Sequence, residues 1–373
     1  MTVLVTGGAG YIGSHMVWAL LEAGEDVVVV DRLSTGFDWA VAPEAKLIRA
    51  DVADTGAITE IIRSHQIEAI VHFAGSISVP DSIVDPLGYY QNNTTSSLAL
   101  ICAAIETGVR KFVFSSTAAV YGSPAGDHPV AETTPTLPQS PYGASKLMTE
   151  KMLADAATAH DFRYAALRYF NVSGADPLGR TGQSTRGAAN LIKVATEAAM
   201  GKRDGIEVFG TDYPTRDGTC VRDFIHVTDL VAAHLDALSY LRAGGESLVA
   251  NCGYGRGYTV REVLDSVRRL SGRDFEIRLG ARREGDIVTS IADSTRARTI
   301  LGWQPQHDDL DKIVGSALAW EAALARSNHV LAESGQTPRR IVLDWTPPHD
   351  DMEEVVGNAL AFAPVLARRR YNR

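Results

Sequence analysis

The segment Thr6-Gly7-Gly8-Ala9-Gly10-Tyr11-Ile12-Gly13 follows the apolar run Val3-Leu4-Val5 directly and opens the amphipathic stretch 11–21. Few folds accept that order. Glycines at a strand-to-helix junction let the backbone turn tightly and bring a pyrophosphate against a helix N-terminus, where unpaired N–H groups and the helix dipole favour anions. A dinucleotide is the expected ligand. Eighteen residues past Gly13, the run Val27-Val28-Val29-Val30 ends in Asp31, a carboxylate placed to accept both hydroxyls of an adenosine ribose. Its charge would repel a 2′-phosphate, so NAD is favoured over NADP. Arg32 is the dissenting residue, because a guanidinium there could pair with such a phosphate.

After Asp31, strand and helix patterns alternate: buried strands at 46–49, 69–73, 111–115 and 164–170, helices at 55–66, 86–107 and 142–160. This alternation predicts an α/β fold, a Rossmann-type doubly wound parallel sheet covered on both faces, with ligands at the carboxyl ends of its strands. Chemistry is then expected just after Phe73, Ser115 and Phe170. From about residue 175 the alternation gives way to loops rich in Gly, Arg and Asp, which marks a second, smaller α/β domain. The expected division is 1–175 for NAD and 176–330 for the substrate, with 224–238 returning to the first domain and 331–373 as a C-terminal extension.

A chain of 373 residues is long enough for two interlocking domains. Its net charge of −9 gives no electrostatic footing for nucleic acid or an anionic membrane. The start reads as a buried strand without a basic leader, and no apolar stretch is long enough to span a bilayer. Cys102, Cys220 and Cys252 form no paired spacing, which suits a reducing cytoplasm. His72 and His226 sit in apolar runs and read as satisfied core residues. His307-Asp308-Asp309 reads as a helix cap in preference to a metal site, and no metal is expected.

Ser140-Pro141-Tyr142-Gly143-Ala144-Ser145-Lys146 starts a helix, with Ser140 able to cap it and Tyr142 and Lys146 one turn apart on one face. An ammonium beside a phenol favours the phenolate, so Tyr142 is expected to be a base usable near neutral pH. Thr117, at the end of the run Phe112-Val113-Phe114-Ser115-Ser116, offers a hydroxyl suited to passing a proton or holding a substrate hydroxyl.

Fingerprint, hydroxyl and Tyr-x-x-x-Lys together resemble the extended short-chain dehydrogenase/reductase family. Longer stretches resemble the branch of it that inverts C4 of UDP-hexoses: His72-Phe73-Ala74-Gly75, Tyr89-Tyr90-Gln91-Asn92-Asn93, Leu167-Arg168-Tyr169-Phe170-Asn171, Phe209-Gly210-Thr211-Asp212-Tyr213-Pro214-Thr215, Val221-Arg222-Asp223-Phe224-Ile225-His226-Val227 and Arg282-Arg283-Glu284-Gly285-Asp286. By that resemblance Gly7, Gly10, Tyr11, Ile12, Gly13 and Asp31 bind NAD, with Asp51 and Val52 at the adenine, Phe73 and Ala74 along the pyrophosphate and Asn92 nearby. Tyr142 is the base, Lys146 holds the nicotinamide ribose, and Phe170 lies near the nicotinamide. Asn171, Asn190, Phe209, Arg222, Arg283 and Asp286 grip the UDP portion; two guanidiniums suit a diphosphate and a carboxylate suits a ribose diol. The resemblance also implies a homodimer formed through a helix pair.

The implied reaction interconverts UDP-glucose and UDP-galactose through a 4-keto sugar. Ser290 stands where branch members restricted to those sugars commonly carry tyrosine, so UDP-GlcNAc and UDP-GalNAc are expected substrates too. Two departures are mild: Ile77 replaces a lysine that some members carry near the cofactor, and Thr117 replaces the commoner serine. A sugar-nucleotide 4,6-dehydratase is the rival enzyme, but it would need an acid and a base where Ala118 and Ala119 stand. A non-catalytic NAD-sensing protein is the rival of another class, and its expected mark would be loss of Tyr142 or Lys146.

The C-terminus holds an internal duplication. Leu301-Gly302-Trp303-Gln304-Pro305-Gln306-His307-Asp308-Asp309-Leu310 returns as Leu343-Asp344-Trp345-Thr346-Pro347-Pro348-His349-Asp350-Asp351-Met352, within a repeat of 295–326 at 337–368. The second copy repeats the helical stripe of the first, which predicts an ordered helix over 337–368 docked on the outside of the molecule or across its dimer contact, away from catalysis, with a frayed tail as the alternative.

Overall fold

Seven apolar runs pair in parallel in the order Leu248–Cys252, Arg163–Tyr169, Lys111–Ser115, Ala69–His72, Thr2–Thr6, Asp26–Asp31 and Lys46–Arg49. The computed structural model describes residues 1–334 apart from 125, 127, 186, 284 and 285, with side chains to residue 326. Strand alternation sends Val3 and Val5 to one face and Leu4 to the other. Helices Tyr11–Glu22 and Val227–Arg242 cover the first face, over Val29, Val71 and Leu167. Thr55–Ser64, Ser96–Thr107 and Pro141–Ala159 cover the second, over Ile70, Phe112 and Ala166. Leu4 and Phe112 are fully buried, and truncating either to alanine would cost about 3–5 kcal/mol.

Thr2–Thr6 lies between Asp26–Asp31 and Ala69–His72. The chain therefore leaves it toward one edge and later crosses to the other, so the loops after Thr6 and His72 diverge at the carboxyl end of the sheet. A doubly wound sheet offers its ligand crevice at such a switch point.

The remaining strands build a smaller region. Val221–His226 is flanked by Gly257–Thr259 running antiparallel and by Thr289–Ser290 and Asn171–Ser173 running parallel. Gly205–Phe209 and Glu276–Gly280 form a parallel pair. Helices Leu191–Ala199, Val260–Ser271 and Leu310–Ser334 share a core that includes Ile192, Val263, Leu264, Ile313 and Val314.

Three features depart from the sequence pattern. Residues 86–107 do not form one regular helix: Pro86–Tyr89 and Ser96–Thr107 are joined by a π-turn at Tyr90–Thr95. The wider turn suits Asn93, which is buried and bonded sideways to Ser76 and Ser145. Leu248–Cys252 supplies a seventh strand that the loop-rich composition around it conceals. The last helix also runs through the expected boundary at 330, to Ser334. The second copy of the repeat, 337–368, lies outside the described residues.

Candidate active site

Helix Tyr11–Glu22 begins at Gly10 without a side-chain cap, leaving its first N–H groups for an anion. The glycines before it are there for closeness. Gly7 has φ +71°, and a Cβ on it would sit 2.6 Å from Ala74 N; a Cβ on Gly13 would run into the Gly7 carbonyl. Asp31 ends its strand beside this turn, with Oδ2 accepting from Ala9 N at 3.0 Å and Oδ1 from Leu33 N at 2.8 Å. Each carboxylate oxygen keeps lone-pair capacity for a ribose hydroxyl. Arg32 turns to Asp51 at 3.4 Å, which occupies the guanidinium that could have argued for a 2′-phosphate. An uncapped helix start beside a glycine turn and a strand-end carboxylate fits NAD. Val52 is buried next to Asp51, whose Oδ1 accepts from Ala53 N at 2.9 Å. Tyr11 donates its hydroxyl to the Gly174 carbonyl at 2.6 Å, tying the turn to the chain just after Asn171–Ser173.

The loop after His72 joins the glycine turn to the Tyr142–Lys146 helix. Ala74 lies against Gly7, and a Cβ on Gly75 would come within 3.8 Å of Lys146 Nζ. Asn92 donates to Ser76 Oγ at 2.8 Å, while Asn93 accepts from Ser76 N at 2.7 Å and donates to Ser145 Oγ at 3.0 Å. Phe73 packs on His234, with ring centroids 4.9 Å apart.

Ser140 caps the helix by accepting from Gly143 N at 3.1 Å, and Pro141 opens its first turn. Tyr142 and Lys146 are both buried. The Tyr142 phenol lies beside Thr117, whose hydroxyl accepts from Ala119 N at 3.2 Å. The expected acidic phenol is not found in the chain alone. Burial pushes Tyr142 well above the ordinary tyrosine value, outweighing Thr117, which lowers it. Lys146 is turned elsewhere, donating to the Ser115 carbonyl at 3.0 Å above the Phe114 ring. Burial pulls its ammonium down to about 8, opposed by Glu150. Phe170 packs with Val120, Tyr121 and Val130 beside Thr117.

Opposite the sheet, Arg283 lies 4.5 Å over the Phe209 ring and pairs with Asp286 at 3.1 Å. Arg222 donates to the Val221 carbonyl at 2.9 Å, in register with Ser290 on the neighbouring strand. Asn171 donates to the Asp223 carbonyl at 3.2 Å. Asn190, at the start of helix Leu191–Ala199, accepts from Gln183 at 3.0 Å.

Asp223 escaped the sequence reading. Its buried carboxylate accepts from the N–H groups of Tyr254, Gly255 and Ala292 at 3.0, 2.9 and 3.1 Å, fixing the strand that carries Arg222. Asn93 escaped it too, although an Asn-Asn pair inside a helical stretch is a poor helix former and therefore a signal. His72 is a satisfied core residue, held between Thr6 and Ser97. His226 caps helix Val227–Arg242 and reaches Ser316. Asp309 caps the last helix through Lys312 N at 3.0 Å. Among the described residues no His, Cys, Asp and Glu cluster could hold a metal ion.

Asp31 is tied to the glycine turn through Ala9, and Ala74 and Gly75 link that turn to the helix carrying Tyr142 and Lys146, an arrangement that fits enzymes moving hydride between an alcohol carbon and NAD. The chain belongs to the NAD dependent epimerase/dehydratase family, whose sequence profile matches residues 3–253. It is 53% identical over 325 residues to the UDP-glucose 4-epimerase of Azospirillum brasilense, covering 87% of this chain and 93% of that protein. The UDP-glucose 4-epimerase of Brucella ovis, solved with NAD, superposes with a TM-score of 0.83 at 42% identity, covering 85% of this chain and 97% of that one. The UDP-Glc/GlcNAc 4-epimerase of Campylobacter jejuni gives 0.77 at 45% identity, covering 86% and 99%.

Proposed function

We propose that this chain inverts C4 of UDP-hexoses with NAD as its resident cofactor, interconverting UDP-glucose and UDP-galactose through a 4-keto sugar. The observation that carries the reading is the buried Tyr142 phenol beside Thr117, with Lys146 one turn behind it against the NAD-side loop. Bound NAD⁺ supplies a reversible hydride acceptor beside the sugar. Gly7, Gly10, Tyr11, Ile12, Gly13 and Asp31 would hold it, with Asp51, Val52, Phe73, Ala74, Asn92 and Phe170 along its length. Tyr142 Oη takes the proton of the 4-hydroxyl and later returns one to O4. Thr117 holds that hydroxyl in line, and Lys146 supplies the positive charge the phenolate needs. Asn171, Asn190, Phe209, Arg222, Arg283 and Asp286 grip the UDP, which keeps the keto sugar in the site while it turns over.

Elimination lacks its acid and base, since Ala118 and Ala119 follow Thr117 in a short 3₁₀ turn. Ser290, only partly buried beside Arg222, carries a side chain much smaller than tyrosine, which favours acceptance of an N-acetyl group. The Campylobacter relative, named for both sugar types, supports that wider range. Exposed Leu98, Cys102 and Met148 on two neighbouring helices support a homodimer. Three free thiols suit the cytoplasm. Among the described residues no helix is long and apolar enough to cross a membrane.

The test is to incubate purified protein with UDP-galactose, without added NAD, and assay UDP-glucose. Tyr142→Phe is expected to keep fold and bound NAD and lose most turnover; a rate near wild type would refute the assignment. Ser290→Tyr is expected to suppress UDP-GlcNAc conversion and spare UDP-glucose. Light scattering should give twice the 40.1 kDa chain mass.

A further inference from the structure

A buried ion pair lies one helical turn beyond Lys146, and the reaction above makes no use of it. Glu150 follows Lys146 by four residues on helix Pro141–Ala159, and both side chains point into the sheet. Glu150 Oε1 accepts from Ser116 Oγ at 2.5 Å, while Lys146 Nζ donates to the carbonyl of Ser115 at 3.0 Å. One helix face thus grips two consecutive residues of the strand end, and the next residue is Thr117. Behind Glu150, Arg168 donates to both carboxylate oxygens, at 2.9 Å and 2.5 Å. Its remaining nitrogen donates to Tyr121 Oη at 2.9 Å, and that hydroxyl donates to Asn251 Oδ1 at 2.7 Å.

A purely structural tie between helix and strand would be served as well by apolar side chains, because desolvating two charges costs about what their attraction returns. What apolar side chains could not supply is a negative charge one turn from Lys146. From the other elements packed around the ammonium come the carbonyl of Ser115, the ring of Phe114 and His72, which burial keeps neutral, with Gly75 between the ammonium and the amide of Asn93. Glu150 is the group whose charge favours the ammonium.

We infer that Glu150 is a positioning residue for the Tyr142–Lys146 pair: it keeps Lys146 charged and, through Ser116, sets the strand end that carries the Thr117 hydroxyl. Arg168 anchors the carboxylate against rotation. The inference rests on the assignment of Tyr142 and Lys146 to catalysis. Burial already brings Lys146 to about 8, so without Glu150 the ammonium would be lost inside the working pH range.

The experiment measures kcat and KM against pH for the NAD-loaded enzyme and its variants. Glu150→Gln keeps the size and removes the charge; its alkaline limb in kcat is expected to move down by about one pH unit, with KM for UDP-galactose within about twofold. Glu150→Asp should restore the limb at reduced kcat. A limb that stays put in Glu150→Gln, with kcat lowered evenly or unchanged, overturns the inference and leaves a structural tie. Should Glu150→Gln not fold, Ser116→Ala removes only the hydroxyl between Glu150 and the strand end. A several-fold fall in kcat at constant KM is expected, and an unchanged kcat refutes the positioning role. Tyr142→Phe in the same series separates the two readings. If it retains turnover, the catalytic assignment fails; if it is inactive while the Glu150→Gln limb stays put, only the role of Glu150 fails.

Discussion

The two sides of the proposed site use different materials. On the NAD side the contact surface is backbone: a glycine turn with no room for a Cβ, an uncapped helix start and a strand-end carboxylate already braced by two N–H groups. On the side proposed for UDP it is long side chains lent by several segments, with Arg283 more than half exposed and paired to Asp286. A backbone cradle is built once and suits a cofactor that stays. Side chains that are paired in advance can exchange partners with each arriving ligand, which suits a substrate that must leave.

The contrast is broken most directly at Gly7. Gly7→Ala places a Cβ at positive φ against Ala74, and roughly 100-fold loss of activity is expected, with NAD content falling in parallel when assayed on denatured protein. A variant that keeps full NAD would mean that the cradle tolerates rearrangement. On the other side, Arg283→Ala should raise KM for UDP-galactose roughly 10- to 100-fold with kcat little changed. Loss of bound NAD in that variant would show the two sides to be one unit.

Acid should divide the sides next. Burial holds His15, His72 and His234 down to about 4, 3 and 4, below the ordinary 6.5. The unfolded chain therefore binds protons that the native one refuses. The stability these groups confer is complete above about pH 6.5 and is lost as pH falls toward 4, at up to about 1.4 kcal/mol per pH unit for each. All three pack around the NAD-side helices and strands. Asp223 has the opposite sign. Burial pushes its carboxyl up to about 6, so the native state takes the proton more readily and this group favours folding as pH falls from 6 toward 4. Hydrogen exchange across pH 7 to 4 should show protection lost around His72 before it is lost around Asp223; the reverse order would contradict the assignment. The smallest effect belongs to the capping box of Thr259 and Glu262. Thr259→Ala should cost about 1 kcal/mol and lower Tm by roughly 2 °C, leaving KM unmoved.

The same contrast explains what the sequence could show. The NAD side was legible because glycine spacing, strand alternation and Asp31 are local patterns, each fixed within a few residues. Tyr142 and Lys146 were legible as a pair, but the state of the phenol was not, since it is set by burial in the folded chain and, after that, by Tyr169 and Tyr89 from other segments. The side proposed for UDP became readable through resemblance, because Arg283 meets Phe209, and Arg222 comes level with Ser290, only after segments far apart in the chain have come together. Asp223 and Glu150 stayed hidden for the same reason: their partners, Ala292 and Arg168, are distant in sequence.

Leu248–Cys252 has a consequence for how the molecule is made. It is the edge strand of the NAD-side sheet, paired with Arg163–Tyr169, yet the substrate-side elements Asn171–Ser173, Leu191–Ala199, Gly205–Phe209 and Val221–His226 are synthesised between the two. A ribosome that has released the first 175 residues has delivered a sheet with an open edge and, lacking Val227–Arg242, one face only half roofed. Unpaired edges and bare apolar faces invite association with other chains. The nascent protein therefore has a vulnerable interval that closes only when residue 252 has emerged from the exit tunnel. Slowing translation between 175 and 252 should lower soluble yield more than slowing it anywhere after.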